Sequence, residues 1–216
     1  MRADLSLFAF ILLVGCSDPA ATVPSAQVEQ TPATPSAPTG DPGPSDDRPE
    51  GALAIDTARS TLEFVGSKVT GSHTGHFGEW SGWLVIGEPI AQSRVRIDIQ
   101  MATIEADVDR LTRHLRTDDF FDVARFPTAR FESTAFAPAP EGTEEATHLV
   151  TGRLTIRDTT QTITFPVNLE TSDAEVRARA RFAIDRQQWG INYRGMEDDL
   201  IRDQVIIRFD VRAPRG

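Results

Sequence analysis

Three stretches of this chain alternate apolar and polar residues with a strict period of two. Near the C-terminus Val205, Ile207, Phe209 and Val211 alternate with Gln204, Arg208 and Asp210, and Ile206 is the one apolar residue in the polar register. Val176, Ala178, Ala180, Phe182 and Ile184 alternate with Glu175, Arg177, Arg179 and Arg181, and Val95, Ile97, Ile99 and Met101 alternate with Arg94, Arg96, Asp98 and Gln100. Successive side chains of an extended chain point to opposite faces, so each stretch is a strand with one dry and one wet side. Strands of that kind belong to antiparallel sheets.

Weaker runs at 61–68, 82–86, 130–136, 149–156 and 162–169 bring the expected number of strands to about eight. Turn-forming residues separate them: Gly87-Glu88-Pro89, Pro138 to Gly142, Arg157 to Thr160 and Ser172-Asp173. One helical segment is expected, over about 106–116, where Val108, Leu111 and Leu115 recur at helical spacing. Pro127 ends any helix before the next strand. Eight alternating strands with one inserted helix fit an antiparallel sandwich or a closed barrel, and a barrel of that size either fills with side chains or holds one small ligand.

This all-β unit is expected over 51–214, long enough for a substantial core. Residues 1–16 read as a lipoprotein signal peptide. The apolar run from Leu5 to Gly15 is too short to cross a bilayer, and Leu13-Val14-Gly15-Cys16 resembles a lipobox whose cysteine receives the lipid. Cys16 is the only cysteine, so no intramolecular disulfide forms. Residues 17–50 are rich in Pro, Ala, Ser and Thr, with little apolar surface to offset ordering entropy, and are expected to be a disordered tether. The net charge of −10 and the lack of a basic cluster argue against nucleic acid as a partner.

The run from Arg113 to Phe131, RHLRTDDFFDVARFPTARF, places two adjacent aromatics, Phe120 and Phe121, among charges, as suits a wall or lid over an apolar cavity. It closely resembles a signature of the YceI family of lipid-binding barrels. Ile55-Asp56 with Ser60, SHTGHFGEWSG (72–82, read as a His-containing turn leading into a strand), VTGRLTIRDTTQTITFPV (150–167) and FAIDRQQWGI (182–191) resemble further family motifs, in order, across nearly all of the domain. The chain departs from the pattern in two places. Arg-Asp-Thr-Thr follows Ile156 where the family more often carries His-Gly, and Trp189 stands where Phe is usual.

The resemblance implies an antiparallel eight-stranded lipocalin-like β-barrel with a long apolar tunnel for a polyisoprenoid, an isoprenoid quinone or a fatty-acyl lipid, and members that often pair as homodimers. The candidate ligand-binding residues are Leu62, Phe64, Phe77, Trp83, Ile97, Ile99, Leu115, Phe120, Phe121, Phe131, Leu154, Phe165, Phe182 and Trp189. Val95, Ile207 and Phe209 belong to the same inward faces. Trp83 and Trp189 either line the tunnel or pack at the barrel ends. Such a lining and a few polar groups at the mouth suffice to hold a prenyl or alkyl tail. No cofactor is expected.

His73 and His76 invite a metal reading, but no third ligand lies nearby in sequence, so turn and rim positions, or a hydrogen bond to a ligand headgroup, fit them better. Arg113 and Arg116 fit a solvated helix face better than a headgroup site, and Asp118-Asp119 a solvated turn. No nucleophile elbow, phosphate loop or zinc-protease motif is present. The expectation is therefore a binder or carrier, anchored through Cys16, on the periplasmic face of the outer membrane. The competing readings are an enzyme or enzyme accessory of lipid or quinone metabolism, and a filled barrel serving as a ligand-free envelope stress module.

Overall fold

The computed structural model describes residues 18–29, 48–143 and 146–215. Its strands are β1 (Gln27–Glu29), β2 (Leu53–Ala54), β3 (Thr61–Lys68), β4 (Gly71–Phe77), β5 (Trp80–Val85), β6 (Arg94–Gln100), β7 (Ile104–Ala106), β8 (Thr128–Pro138), β9 (His148–Ile156), β10 (Thr159–Thr171), β11 (Glu175–Asp185), β12 (Gly195–Met196), β13 (Asp199–Leu200) and β14 (Gln204–Pro214). One α-helix, α1, spans Asp109–Leu115.

The main sheet is antiparallel throughout, in the order β2-β5-β6-β8-β9-β10-β11-β14-β3-β4-β7. It closes because β4 runs on into β5, and β6 into β7, through a shared corner. There Gly78 N–H donates to Thr103 O at 3.0 Å and Gln100 N–H donates to Glu79 O at 2.9 Å. β4 pairs with β7 on one side of the corner, and β5 with β6 on the other. With each bent pair taken as one strand, eight strands circle the barrel, as the alternation led us to expect.

Two glycines set how closely the inner layer packs. The Phe64 ring lies on Gly75 of the neighbouring strand, where an added Cβ would stand 2.2 Å from Phe64 Cζ and 2.5 Å from the Glu105 carbonyl oxygen. Phe131 lies on Gly152 in the same way, at 2.4 Å. In β8 a bulge between Ser133 and Ala135 inserts one residue. Phe131 and Phe136 stand an odd number of positions apart, which puts them on opposite faces of a regular strand; the bulge resets the phase and turns both inward. Outside, arginine–carboxylate pairs cross the strands, among them Arg177–Asp210, Arg179–Glu170 and Arg208–Glu63.

The expected helix is shorter than its apolar spacing suggested. Ile104–Ala106 extends as β7 against β4, and Val108 is the N-cap of α1, left exposed. The segment 72–76, expected as a turn, is the body of β4.

The disordered tether expected over 17–50 does not hold for 18–29. Ala20 and Val23 are buried against Ala183, Ile206 and Val65 on the outside of the barrel. Those three are register partners across β11, β14 and β3 and form one apolar stripe. This corrects the placement of Ile206 on a wet face: 18–29 covers it. Ala26 N–H donates to Ala183 O at 2.8 Å, Ala183 N–H to Pro24 O at 2.9 Å, and β1 adds to the edge of β10. Hydrogen bonding to the barrel compensates for the segment's low apolar content. Cys16 and the rest of 1–17 lie outside the described residues, as does most of the remaining tether.

Candidate apolar cavity

The barrel interior holds a cavity of about 510 Å³. It reaches from Leu62, Leu84 and Val211 near one end to Lys68, Met196 and Asp199 at the other. Leu62 and Lys68 are six residues apart on β3, so the cavity is roughly 20 Å long at about 3.3 Å per strand residue.

Thirteen of the fourteen candidate residues line it: Leu62, Phe64, Phe77, Ile97, Ile99, Leu115, Phe120, Phe121, Phe131, Leu154, Phe165, Phe182 and Trp189. Trp83 does not. It precedes the inward Leu84 on β5 and therefore faces outward, so the tunnel role considered for it is withdrawn. Phe136, Val150, Ile163, Val167 and Ile184 also line the cavity and were not singled out in the sequence. Val150, Ile163, Val167 and Ile184 share the inward register of candidates on their own strands, which was the available signal; Phe136 was hidden by the bulge.

Phe165 sits at the centre of the lining. It stacks on Phe182, with ring centroids 4.2 Å apart, and meets Phe131 at 5.4 Å.

The Arg113–Phe131 run closes one end. Phe120 is buried and Phe121 half-buried, both facing the cavity. The run is fastened to the barrel by charged donors to backbone carbonyls: Arg116 Nη2 to Ile104 O at 2.9 Å and Arg157 Nη1 to Phe120 O at 3.1 Å. Arg116 is therefore a clasp rather than a solvated side chain. Arg157 occupies the tight β9–β10 turn with φ of 56°, a left-handed conformation that costs a non-glycine residue about 1 kcal/mol. Its bond to the Phe120 carbonyl offsets that strain and gives this turn a role that glycine does not supply.

The motif FAIDRQQWGI builds the same end. Arg186 is buried and donates to the carbonyls of Ile191 (2.6 Å), Arg202 (3.2 Å) and Ile201 (3.4 Å), and to Asp203 Oδ1 (3.1 Å). Burial lowers the pKa of its guanidinium from the ordinary value, with Asp203 and Asp185 opposing that shift. Gly190 takes φ of 70° to turn the chain, and Trp189 Nε1 donates to Leu154 O at 2.9 Å. Trp189 is thus a buried cavity wall. Sequence reasoning did not assign Arg186 a role, because a lone arginine in a strand-to-turn segment looks like surface.

Polar groups collect at this end: Ser67, Lys68, His73, Arg110, His114, Tyr193 and Asp199 line the cavity here, while Arg94 does so at the other. His73 Nδ1 and Asp107 Oδ1 are 2.8 Å apart, as are His114 Nε2 and Asp119 Oδ2. His114 also packs edge-on against Phe120 and Tyr193. His76 sits apart from His73, 3.5 Å from Glu105, because residues three apart on a strand face opposite ways. The two histidines therefore cannot converge on one ion. Among the described residues no cluster of three or more His, Cys, Asp or Glu converges to hold a metal.

The match to known proteins follows the same residues. The YceI-like domain model matches residues 53–213, the whole barrel. The chain belongs to the YceI-like family. Among its relatives, a UPF0312 protein of Pseudomonas fluorescens is 33% identical over 92 residues, 42% of this chain and 46% of that protein. A UPF0312 protein of Shewanella denitrificans is 29% identical over 114 residues, 51% of this chain and 58% of the relative. The aligned parts span about half the length of these relatives. Among solved structures, BcnA of Burkholderia cenocepacia superposes with a TM-score of 0.66 at 24% identity, covering 74% of this chain and 99% of that one. A polyisoprenoid-binding domain from Saccharophagus degradans, implicated in plant cell wall breakdown, superposes with a TM-score of 0.61 at 17% identity, covering 77% and 99%. At these identities the superpositions establish the lipocalin-like fold.

Proposed function

We propose that this protein binds and shields one long-chain amphiphile of the polyisoprenoid, isoprenoid-quinone or fatty-acyl class, with its tail in the barrel and its head at the Lys68–His73–Tyr193 end. The observation that carries the reading is the elongated cavity, apolar along its length, with every polar lining group except Arg94 gathered at one end. Each buried methylene of a tail contributes up to about 0.8 kcal/mol, so binding needs few specific contacts. The Saccharophagus neighbour is a polyisoprenoid-binding domain, which agrees with this class of ligand. The reading involves no covalent chemistry. His73, His114 and Lys68 each pair with a carboxylate at this end.

Organic extraction and mass spectrometry of the purified chain should recover a lipid. Ile207→Trp, which fills the cavity beside Phe64 and Phe182, should abolish recovery while the circular dichroism of the barrel is kept. Repeated absence of lipid, with no uptake of a prenyl or fatty-acyl probe, would overturn the reading. The lipobox at Cys16 supports placement in the bacterial cell envelope, lipid-anchored at the periplasmic face of the outer membrane. Cys16→Ser should move most of the protein from the membrane to the soluble fraction; an unchanged distribution would remove the anchor.

A further inference from the structure

Four large apolar side chains stand well exposed among the described residues: Met196 at 70%, Val69 at 50%, Val108 at 43% and Leu200 at 42%. They come from three separate segments, yet all lie at one end of the barrel. Val69 is the tip of the β3–β4 hairpin, and its N–H donates to Leu200 O at 3.2 Å. Met196 and Leu200 belong to the two strands of the β12–β13 hairpin, whose turn is Glu197-Asp198. Val108 caps α1 beside the His73–Asp107 pair. Met196 and Val108 also line the cavity, so this apolar rim borders its polar end.

The rim is held out deliberately. Asp199 takes hydrogen bonds from Lys68 and Thr70, tying the short hairpin to the β3–β4 tip. Gly195, at φ of 83°, allows the turn where a side chain would crowd the Asp199 and Ile201 backbone. Isolated exposed apolar residues are ordinary on any protein surface, but four at one cavity mouth are an interaction patch.

The N-terminal segment points to the occupant. Asp18 pairs with Arg202 at 3.2 Å, and Pro19 lies in a small pocket with Lys68, Val69 and Thr70. The described chain therefore begins at this rim, strapped along the outer stripe of Val65, Ala183 and Ile206. Cys16 is two residues upstream of Asp18, a reach of at most about 7 Å, so an acyl group on it would be tethered close to this rim.

We propose that this rim is a membrane-docking surface that presents the cavity mouth to a lipid bilayer, so that an amphiphile passes between bilayer and barrel without crossing water. The proposal rests on reading the cavity as a lipid site, but docking is measured without ligand. Charges around the rim are mixed: Lys68, Arg110, Arg194 and Arg202 stand with Asp107, Asp109, Glu197, Asp198 and Asp199. Docking is therefore driven by apolar insertion rather than by attraction to anionic lipid, and salt affects it little.

The test uses the chain from Ser17 onward, which carries neither an acyl group nor the apolar run from Leu5 to Gly15, and flotation with phosphatidylcholine vesicles. The parent should float, and Val69→Asp/Leu200→Asp, at two rim residues outside the cavity lining, should reduce the vesicle-bound fraction about tenfold, while Thr171→Asp at the far end leaves it unchanged. Uptake of a soluble short-chain prenyl probe should be equal in all three, which separates docking from the cavity. Equal flotation of the parent and the double variant overturns the proposal, as does failure of the parent to float. A concentration-dependent dimer that only the double variant loses would assign the patch to a second copy and equally overturn it.

Discussion

At the scale of single residues, Gly75 and Gly152 show why family motifs place glycine inside strands. Each lies under a phenylalanine ring that would otherwise meet a Cβ, with a backbone carbonyl on the far side. Gly152→Ala should therefore cost about 2 kcal/mol, as expected of overpacking, read as a lowered melting temperature; an unchanged melt would show that Phe131 turns aside freely. Arg186 is the opposite case, a charge kept inside because three carbonyls and Asp203 surround it. Arg186→Met leaves those carbonyls without donors and should cost about 3 kcal/mol, or roughly 10 °C in a domain of this size. Both motifs were legible in the sequence as patterns, but their reasons were not, since each involves atoms brought together from distant parts of the chain.

At the scale of elements, the β12–β13 hairpin depends on one carboxylate. The hydrogen bond from Lys68 holds the Asp199 carboxyl below the ordinary carboxylate range; desolvation opposes it, and hydrogen bonds from Thr70 add to it. A depressed folded pKa contributes fully above the unfolded value and is lost as pH falls through the folded one. The protection of amides over 195–200, taken relative to their intrinsic exchange rates, should therefore fall on acidification below the usual carboxylate range, while the barrel strands stay protected. Asp199→Asn should exchange quickly at every pH; a pH profile like the parent's would discount the ion pair. The strap at 18–29 is a second element with a local consequence. Val23→Asp should undock it, uncover Ile206 and cost about 2 kcal/mol, with new binding of a hydrophobic dye as the readout. Its composition suggested a tether because the stripe that receives it is assembled from three strands and is invisible within any one of them.

At the scale of the whole molecule, the proposed binding of an amphiphile in the cavity links stability to ligand concentration. Ligand at one hundred times its dissociation constant should stabilise the barrel by about 2.7 kcal/mol, read as a rise in melting temperature over delipidated protein. Phe121→Ala should weaken that rise more than it lowers the melt of the empty protein, because Phe121 is only half-buried in the closing run. For the buried Phe120, alanine should cost about 3 kcal/mol of stability outright. If both variants behaved alike, the run would be ordinary core rather than a wall against ligand.

The sequence by itself determined the family, most of the barrel strands and most of their inward residues, but not β1, β4 or β7. Alternation is a property of each strand's own backbone, and thirteen of the fourteen residues chosen by pattern do face the cavity. Trp83 went the other way because the reading followed its aromatic character rather than its register. Only the tertiary structure decided the rest. The corner at Gly78-Glu79 closes the sheet, the bulge in β8 turns Phe136 inward, and opposite faces of β4 separate His73 from His76. Whether the interior stays open depends on how strands tilt and stagger around the barrel. That geometry belongs to pairings between segments far apart in the chain, and periodicity within one segment carries no record of it.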